Sequence, residues 1–282
     1  MKDFKGKYVL ITGGSKGIGK DIAKFFFEKG ATVLICSRNK EEIKITCKDI
    51  DPEGINFFGI KADVSKISDC KKLIDYAIKK FGKIDVLINN AGIIGEIGEF
   101  DKNNIINWSK AIEVNLLGSA YCSRFALPFM KKNSNGKIIN FAGAGVGGKN
   151  PLINFSSYYT SKIAIVGFTE TIAEELKKYN IQVNCIAPGQ INTGITDYVI
   201  SQGLDKVGKD IYKQTIEQKK KGVSSTRQIT DLISFLCSSE ADHITGRLLS
   251  VKWDKIEVLK RLTKEGGLFK LRRIDNDLFY GK

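Results

Sequence analysis

Short apolar runs alternate with amphipathic segments along most of the chain. The runs KYVLIT and ATVLIC are typical of buried strands, because a few successive apolar residues are bounded by glycine or polar residues. The predicted strands cover residues 7–12, 31–37, 56–63, 83–90, 136–141, 181–187 and 246–251. Between them apolar residues recur at helical spacing, as at Ile18, Ile22 and Phe25, until Gly30 ends the first helix. Further helices are predicted over residues 39–50, 66–81, 108–131, 156–179 and 226–238.

This alternation predicts an α/β fold: one Rossmann-type, doubly wound domain in which helices cover both faces of a parallel sheet. No linker rich in Pro, Gly or Ser interrupts it, so residues 1–254 are predicted to form one domain and 255–282 a charged C-terminal extension. Residues 190–222 are polar, weakly periodic and predicted to be rich in loops. Because ligands bind beyond the carboxyl ends of the strands in open sheets, we predict that this segment is a lid over the substrate.

Composition narrows the function classes. The formal net charge is +14, but lysines are spread along the whole chain and aromatic residues do not interleave with the basic clusters. An evenly basic surface is therefore favoured over nucleic-acid binding. Six scattered cysteines without CxxC spacing, and His243 as the single histidine, predict buried free thiols and no metal site. With no signal-peptide pattern and no apolar run of spanning length, we expect a cytoplasmic protein without a membrane partner.

The segment TGGSKGIG follows the first predicted strand and opens the first predicted helix. Glycines let the main chain turn sharply and approach a pyrophosphate, whose charge is stabilised by the helix N-terminus. The strand–turn–helix context is the one that dinucleotide-binding folds require of such a pattern. We therefore predict a cofactor phosphate site at Gly13, Ser15, Lys16, Gly17, Ile18 and Gly19.

The end of the second strand distinguishes the two nicotinamide cofactors. Sites for NAD(H) place a carboxylate there to hold the ribose 2′-hydroxyl. This chain has Ser37 and Arg38 instead, within CSRNK, and no carboxylate. Arg38 and Lys16 together suit a 2′-phosphate, so we predict that NADP(H) is preferred over NAD(H).

Five motifs, in order, resemble those of the short-chain dehydrogenase/reductase family over residues 5–251. They are TGGSKGIG, NNAG at 89–92, VNLLG, a YxxxK pattern and PGQINT at 188–193. The resemblance implies that Tyr158 and Lys162 are the catalytic pair and that Asn115 anchors a water in the proton relay. It also implies a homodimer or homotetramer. The implied cofactor contacts are Asp63, Val64, Asn90, Ala91, Gly92, Pro188, Gly189, Ile191 and Thr193, together with Tyr158 and Lys162.

The chemistry of the Tyr158–Lys162 pair follows from its spacing. Residues four apart share one face of a helix. A phenol, with a pKa of about 10, is a poor acid–base catalyst at neutral pH, and a nearby ammonium lowers that pKa by stabilising the phenolate. The pair therefore suits Tyr158 as acid/base, and the family resemblance implies hydride transfer between a carbonyl and a secondary alcohol. The polar segment 190–222 favours an oxygenated or anionic small-molecule substrate.

One position departs from the family's pattern. A serine usually ends the strand before the catalytic helix, but here NFAGAG places Ala142, or with a shifted alignment Gly143, at that position. Loss of one such hydrogen-bond donor typically costs about 2.7–4 kcal/mol. Three explanations stay open. Ser156 or Ser157 supplies the hydroxyl; a main-chain N–H within 143–148 replaces it; or the site is slow or silent, leaving an NADP-binding protein with a regulatory or structural role.

Overall fold

The computed structural model describes residues 3–143, 145–147, 151–189, 191–221 and 226–261. Seven strands form one parallel sheet in the order β3-β2-β1-β4-β5-β6-β7. Their bounds are β1 Tyr8–Thr12, β2 Thr32–Ser37, β3 Phe57–Lys61, β4 Val86–Asn89, β5 Gly136–Phe141, β6 Ile181–Ala187 and β7 Leu248–Ser250. All seven predicted strands are present, and the order reverses direction between β1 and β4. The predicted doubly wound fold is confirmed.

The helices cover both faces of this sheet. In chain order they are α1 Gly17–Glu28, α2 Lys40–Ile50, α3 Ile67–Phe81, α4 Ile105–Ile112, α5 Gly118–Lys132, α6 Ser156–Leu176, α7 Gly194–Ser201, α8 Leu204–Val207, α9 Lys209–Lys220, α10 Arg227–Leu236 and α11 Ile256–Leu259. The long helix predicted over 108–131 is divided, because one π-helical turn, Glu113–Leu117, separates α4 from α5. In the described part of the chain, no helix is both long and apolar enough to cross a bilayer.

Alternating side chains along the strands build two core layers. In β1, Val9 and Ile11 pack towards α1 and α10, whereas Leu10 packs towards α3 and α5. Both layers are apolar because helices cover both faces of a parallel sheet. The strands therefore read as nearly continuous apolar runs, which is why they could be predicted from sequence.

Two segments differ from the sequence prediction. Residues 191–221, predicted to be rich in loops, contain α7, α8 and α9, while positions 190 and 222 lie outside the described residues. These helices are short and present few apolar residues each, so their periodicity is weak. In the predicted C-terminal extension, Leu259 of α11 is fully buried in the core, so the extension packs on the domain at least to that point. The rest of the extension, 262–282, lies outside the described residues.

Candidate active site

The glycine-rich loop lies where β1 ends and α1 begins. Gly13 and Gly17 have φ values of +66° and +55°, which favour glycine. Gly19 must also lack a side chain, because a Cβ there would lie 2.2 Å from the Gly13 carbonyl oxygen. Asn90 holds the loop from the next strand along the sheet, donating from Nδ2 to the carbonyl oxygens of Thr12 and Gly13 at 3.0 Å each.

A cavity of about 1270 Å³ opens in front of this loop. Its lining includes most of the predicted cofactor residues: Gly13, Ser15, Lys16, Gly17, Ile18, Gly19, Ser37, Arg38, Asp63, Val64, Asn90, Ala91, Gly92 and Thr193. A Cβ on Gly17 would approach only Thr193, across the cleft, at 3.6 Å. The bare main chain at the start of α1 therefore faces the cavity, as a bound pyrophosphate requires. The residues fit a dinucleotide.

Five of the predicted cofactor contacts do not line this cavity: Tyr158 and Lys162 on α6, and three residues that follow β6. Pro188 and Gly189 follow β6 outside its lining, and the partly buried Ile191 packs against the core layer of α1 and α10. Their predicted contacts with the nicotinamide carboxamide stay a prediction.

The far end of the cavity carries the residues predicted to select the cofactor. Ser37 ends β2, and the exposed Arg38 makes no ion pair with any residue that the structure describes. Lys16 differs, because its Nζ forms an ion pair with Oε1 of Glu42 at 3.1 Å. The other carboxylate oxygen of Glu42, Oε2, accepts a 3.0 Å hydrogen bond from Ser15 Oγ. Nothing in the sequence pattern pointed to Glu42, since 26 residues separate it from Lys16.

Tyr158 and Lys162 lie on α6 at the other end of the site. Lys162 Nζ is 5.9 Å from the centroid of the Tyr158 ring and donates a 2.8 Å hydrogen bond to the carbonyl oxygen of Phe141. Burial lowers the pKa of Lys162 to about 8, and the nearby Cys185 partly opposes the shift. The ammonium is therefore still charged at neutral pH and lies beside the phenol ring.

Asn115 occupies the π-helical turn between α4 and α5. Its Oδ1 accepts from the Ile93 N–H at 2.8 Å, and its Nδ2 donates to the Ile93 carbonyl and to Ser161 Oγ, both at 2.9 Å. A Cβ on Gly92 would lie 3.3 Å from Asn115 Oδ1 and 3.4 Å from Lys162 Nζ. Asn115 and Lys162 therefore both approach the loop that follows β4, at 92–93, and Tyr158 lies beside Lys162 on α6. A π-helical turn is frequent at functional sites.

A family model described as short chain dehydrogenase matches residues 7–203 of this chain. The chain belongs to the short-chain dehydrogenase family. Similar proteins include dehydrogenase/reductase SDR family member 4 of Sus scrofa, 30% identical over 89% of this chain and 87% of that protein. Another is the 3-oxoacyl-[acyl-carrier-protein] reductase FabG of Staphylococcus epidermidis, 31% identical over 87% of this chain and 97% of that protein. This short-chain dehydrogenase is accordingly an oxidoreductase.

Solved structures agree on the fold and differ in their cofactor. An actinorhodin polyketide ketoreductase variant with NADPH is 25% identical and has a TM-score of 0.77, over 87% of this chain and 95% of that one. An NAD⁺-bound xylitol dehydrogenase is 28% identical and has a TM-score of 0.79, over 88% of this chain and 98% of that one. The comparisons support a nicotinamide cofactor for the present short-chain dehydrogenase without distinguishing NADP(H) from NAD(H).

The position facing the Tyr158 hydroxyl is occupied by Gly143. A Cβ on Gly143 would lie 2.3 Å from Tyr158 Oη. The side chain of Ala142 instead packs in a buried cluster with Ile165, Val166 and Cys185. The placement of Ala142 opposite Tyr158 was therefore wrong, because the chain turns the Ala142 side chain into the core. Gly143, the residue given by the shifted alignment, lies opposite Tyr158.

The two serines before Tyr158 already have partners. Ser157 is fully buried and donates to the carbonyl oxygens of Ile94 and Glu96, at 3.2 and 3.3 Å. Ser156 Oγ accepts a 2.9 Å hydrogen bond from the Trp108 indole. Both serines fix α6 to neighbouring segments. The Ser157 hydroxyl proton is engaged by carbonyl oxygens, whereas Ser156 accepts in its contact and keeps its proton, so Ser156 stays an open alternative to the family serine.

The lid helices α7–α9 meet the site through apolar side chains. Val199, Val207, Ile211 and Tyr212 share a cluster with Ile94, Ile97, Leu152, Phe155 and Tyr158. One polar contact also joins the lid to the cavity wall, because Tyr198 Oη donates to the Gly95 carbonyl at 3.1 Å. The lid side chains in this cluster are apolar, whereas Thr193 and Tyr198 of the same segment line the cavity. The oxygenated or anionic substrate stays a prediction.

Proposed function

We propose that this short-chain dehydrogenase prefers NADP(H) and interconverts a carbonyl and a secondary alcohol, with Tyr158 as acid/base. The observation that carries the proposal is the buried, charged Lys162 beside the Tyr158 ring. Lys162 also adjoins Gly92, a residue that lines the cavity together with the glycine-rich loop. Arg38, which has no ion-pair partner among the residues that the structure describes, supports the preference for a 2′-phosphate. The cytoplasmic location and the homodimer or homotetramer expected from the family resemblance belong to the same proposal.

The residues divide the chemistry among themselves. When bound, the cofactor supplies or accepts the hydride. Tyr158 donates its phenolic proton to the carbonyl oxygen, or accepts one from the alcohol in reverse. Lys162 holds a positive charge next to the resulting phenolate, fixed in place by the Phe141 carbonyl. Asn115 positions Ile93 in the loop that follows β4. Through its hydrogen bond to Ser161, it also positions the catalytic helix α6.

Gly143 is our candidate for the second hydrogen bond to the substrate oxygen. Its N–H makes no hydrogen bond to any residue in the described part of the chain, and its Cα carries no side chain to separate it from Tyr158. A main-chain N–H is a usual donor to developing oxyanions. In this proposal the Gly143 N–H performs the role of the family's serine hydroxyl.

The apolar cluster around Tyr158 points to the substrate class. A substrate that reaches Tyr158 must displace or replace contacts with side chains such as Leu152, Phe155 and Val199. An apolar body beside the reacting carbonyl would keep that surface covered, whereas a sugar would leave its hydroxyls without partners. We therefore propose carbonyl compounds with an apolar body as substrates.

Gly143 also supports the second candidate function, a silent NADP-binding protein, since a glycine brings no side-chain hydroxyl to the position opposite Tyr158. The test is NADPH oxidation over a panel of aliphatic, aromatic and sugar carbonyls, together with thermal protection by NADPH and NADH. We expect turnover of apolar carbonyls and stronger protection by NADPH.

Two variants make that test specific. Tyr158→Phe should lower kcat/KM about 10²–10⁴-fold, as expected for loss of a general acid, without altering NADPH protection. Tyr159→Phe is the matched control and should retain activity, because Tyr159 packs near Gly145 and lies outside the pair. NADPH protection without turnover of any carbonyl would favour the silent protein. Equal protection by NADH would contradict the cofactor preference.

A further inference from the structure

Glu42 lies between the glycine-rich loop and the predicted 2′-phosphate site. It is in the first turn of α2, which begins directly after Ser37, Arg38 and the capping residue Asn39. Its carboxylate is bound by Lys16 Nζ and Ser15 Oγ at 3.1 and 3.0 Å. The Lys16 hydrogen bond is the main cause that holds the pKa of Glu42 below its ordinary value of 4.5, so the group is an anion at neutral pH.

The other charged side chains around this end of the cavity are cationic, apart from Asp63. Arg38, Lys40 and Lys61 line it together with Lys16, and all four are exposed. Of these four, Lys16 has a carboxylate partner in the described part of the chain. Glu42 therefore neutralises one of the two cations that the sequence assigns to the cofactor phosphate.

The loop does not depend on the Glu42 charge for its position. One helical turn later, the buried Thr46 donates a 2.8 Å hydrogen bond from Oγ1 to the Ser15 carbonyl. Asn90 holds Gly13 from the opposite side. Because these neutral contacts already anchor the loop, an electrostatic role for Glu42 is separable from a structural one.

We propose that Glu42 is a specificity-determining counter-ion that competes with the 2′-phosphate of NADP(H) for Lys16. The inference rests on the proposed binding of NADP(H) at this end of the cavity. With Glu42 present, binding of the phosphate must separate Lys16 from its carboxylate or accept the repulsion between the two anions. NAD(H) has no phosphate at that position, so its binding neither separates the Lys16–Glu42 pair nor brings a second anion close to Glu42. Glu42 thereby limits the preference for NADP(H).

The size of the effect follows from exposure. The Lys16 side chain is 75% exposed and that of Glu42 is 32% exposed, and ion pairs in such surroundings are weak and screened by salt. Removing the carboxylate should therefore change the affinity for NADPH by about 3–10-fold at low ionic strength, a range typical of weakly screened single charges. The change should shrink as the salt concentration rises.

The experiment measures the Kd of NADPH and of NADH by nucleotide fluorescence, at low and high salt, with the full chain. Glu42→Gln removes the charge and keeps an amide oxygen for Ser15. Glu41→Gln is the matched control, because Glu41 is the exposed neighbour outside the cavity lining and carries the same charge. Lys16→Met and the double variant complete a thermodynamic cycle, and melting temperatures confirm folding.

We expect Glu42→Gln to bind NADPH 3–10-fold more tightly with the Kd of NADH within about twofold of native, while Glu41→Gln resembles the native chain. In the Lys16→Met background, the effect of Glu42→Gln should fall to about twofold or less. Equal effects of the two glutamate substitutions, or an equal gain for NADH, would overturn the inference. A native chain that binds NADH as tightly as NADPH would instead overturn the proposed cofactor preference, whatever the variants do.

Discussion

The cofactor half and the substrate half of the cleft are built from different kinds of contact. At the cofactor half, short polar groups and main chain hold each other, as Asn90 holds the carbonyl oxygens of Thr12 and Gly13. At the substrate half, apolar side chains from distant segments meet, as Phe155 and Val199 do beside Tyr158. A local motif can encode the first kind, whereas the second depends on how remote segments pack. For this reason the glycine-rich loop could be predicted from its motif, whereas Ala142 in the substrate half was misplaced.

Lys162 lies where the two halves of the cleft meet, and its substitution has the largest expected effect, on the pH dependence of the free energy of unfolding. Burial lowers its pKa from 10.5 to about 8, so the folded chain binds fewer protons than the unfolded chain between these pH values. Stability contributed by this group is complete above pH 10.5 and is lost as the pH falls through about 8. Over that interval the native chain should gain about 3 kcal/mol in the free energy of unfolding relative to Lys162→Met.

Urea unfolding of both proteins from pH 7 to 10.5 measures this difference. The loss of the hydrogen bond to Phe141 shifts the variant by an amount that does not depend on pH, so the slope is the informative quantity. Parallel curves would show that Lys162 titrates normally in the folded chain, which would contradict the desolvation of its ammonium by burial.

Gly143 tests the substrate half. In Gly143→Ala, the new Cβ would lie 2.3 Å from Tyr158 Oη and must displace the phenol. A displacement of about 1 Å can cost about 10²-fold in rate, so we expect kcat/KM to fall by about that factor with NADPH binding retained. Ala142→Ser is the comparison variant, because its hydroxyl would point into the cluster of Ile165 and Val166. A rate gain in Ala142→Ser would show that position 142, and not position 143, corresponds to the family serine.

Gly19 tests the cofactor half, with Gly167 as a matched helical glycine. A Cβ on Gly19 would lie 2.2 Å from the rigid Gly13 carbonyl, whereas nothing lies within 4 Å of one on Gly167. Gly19→Ala should therefore cost about 1–3 kcal/mol and weaken nucleotide binding. Gly167→Ala, within α6, should gain about 0.5–1 kcal/mol. Urea unfolding would measure both changes in the free energy of unfolding. Equal stability of the two variants would mean that the loop is not closely packed.

The lid shows where composition fails as a guide. Its polar residues dominate the count in 191–221, but Val199 and Val207 are the residues buried against the site. Composition averages over both faces of a helix, and only the packed face decides what a substrate meets. The same limit explains why Tyr198 and its contact with Gly95, 103 residues away, had no sequence signal.

The sheet, the glycine-rich loop and the Tyr158–Lys162 pair could be predicted from sequence alone. Each of these depends on a local property: apolar runs for buried strands, glycine where φ is positive, and a spacing of four for one helix face. The tertiary structure decided that Gly143 rather than Ala142 faces Tyr158, that Glu42 pairs with Lys16, and that the lid presents an apolar face. These features need the relative positions of segments tens of residues apart, and such positions are fixed only when the whole core packs.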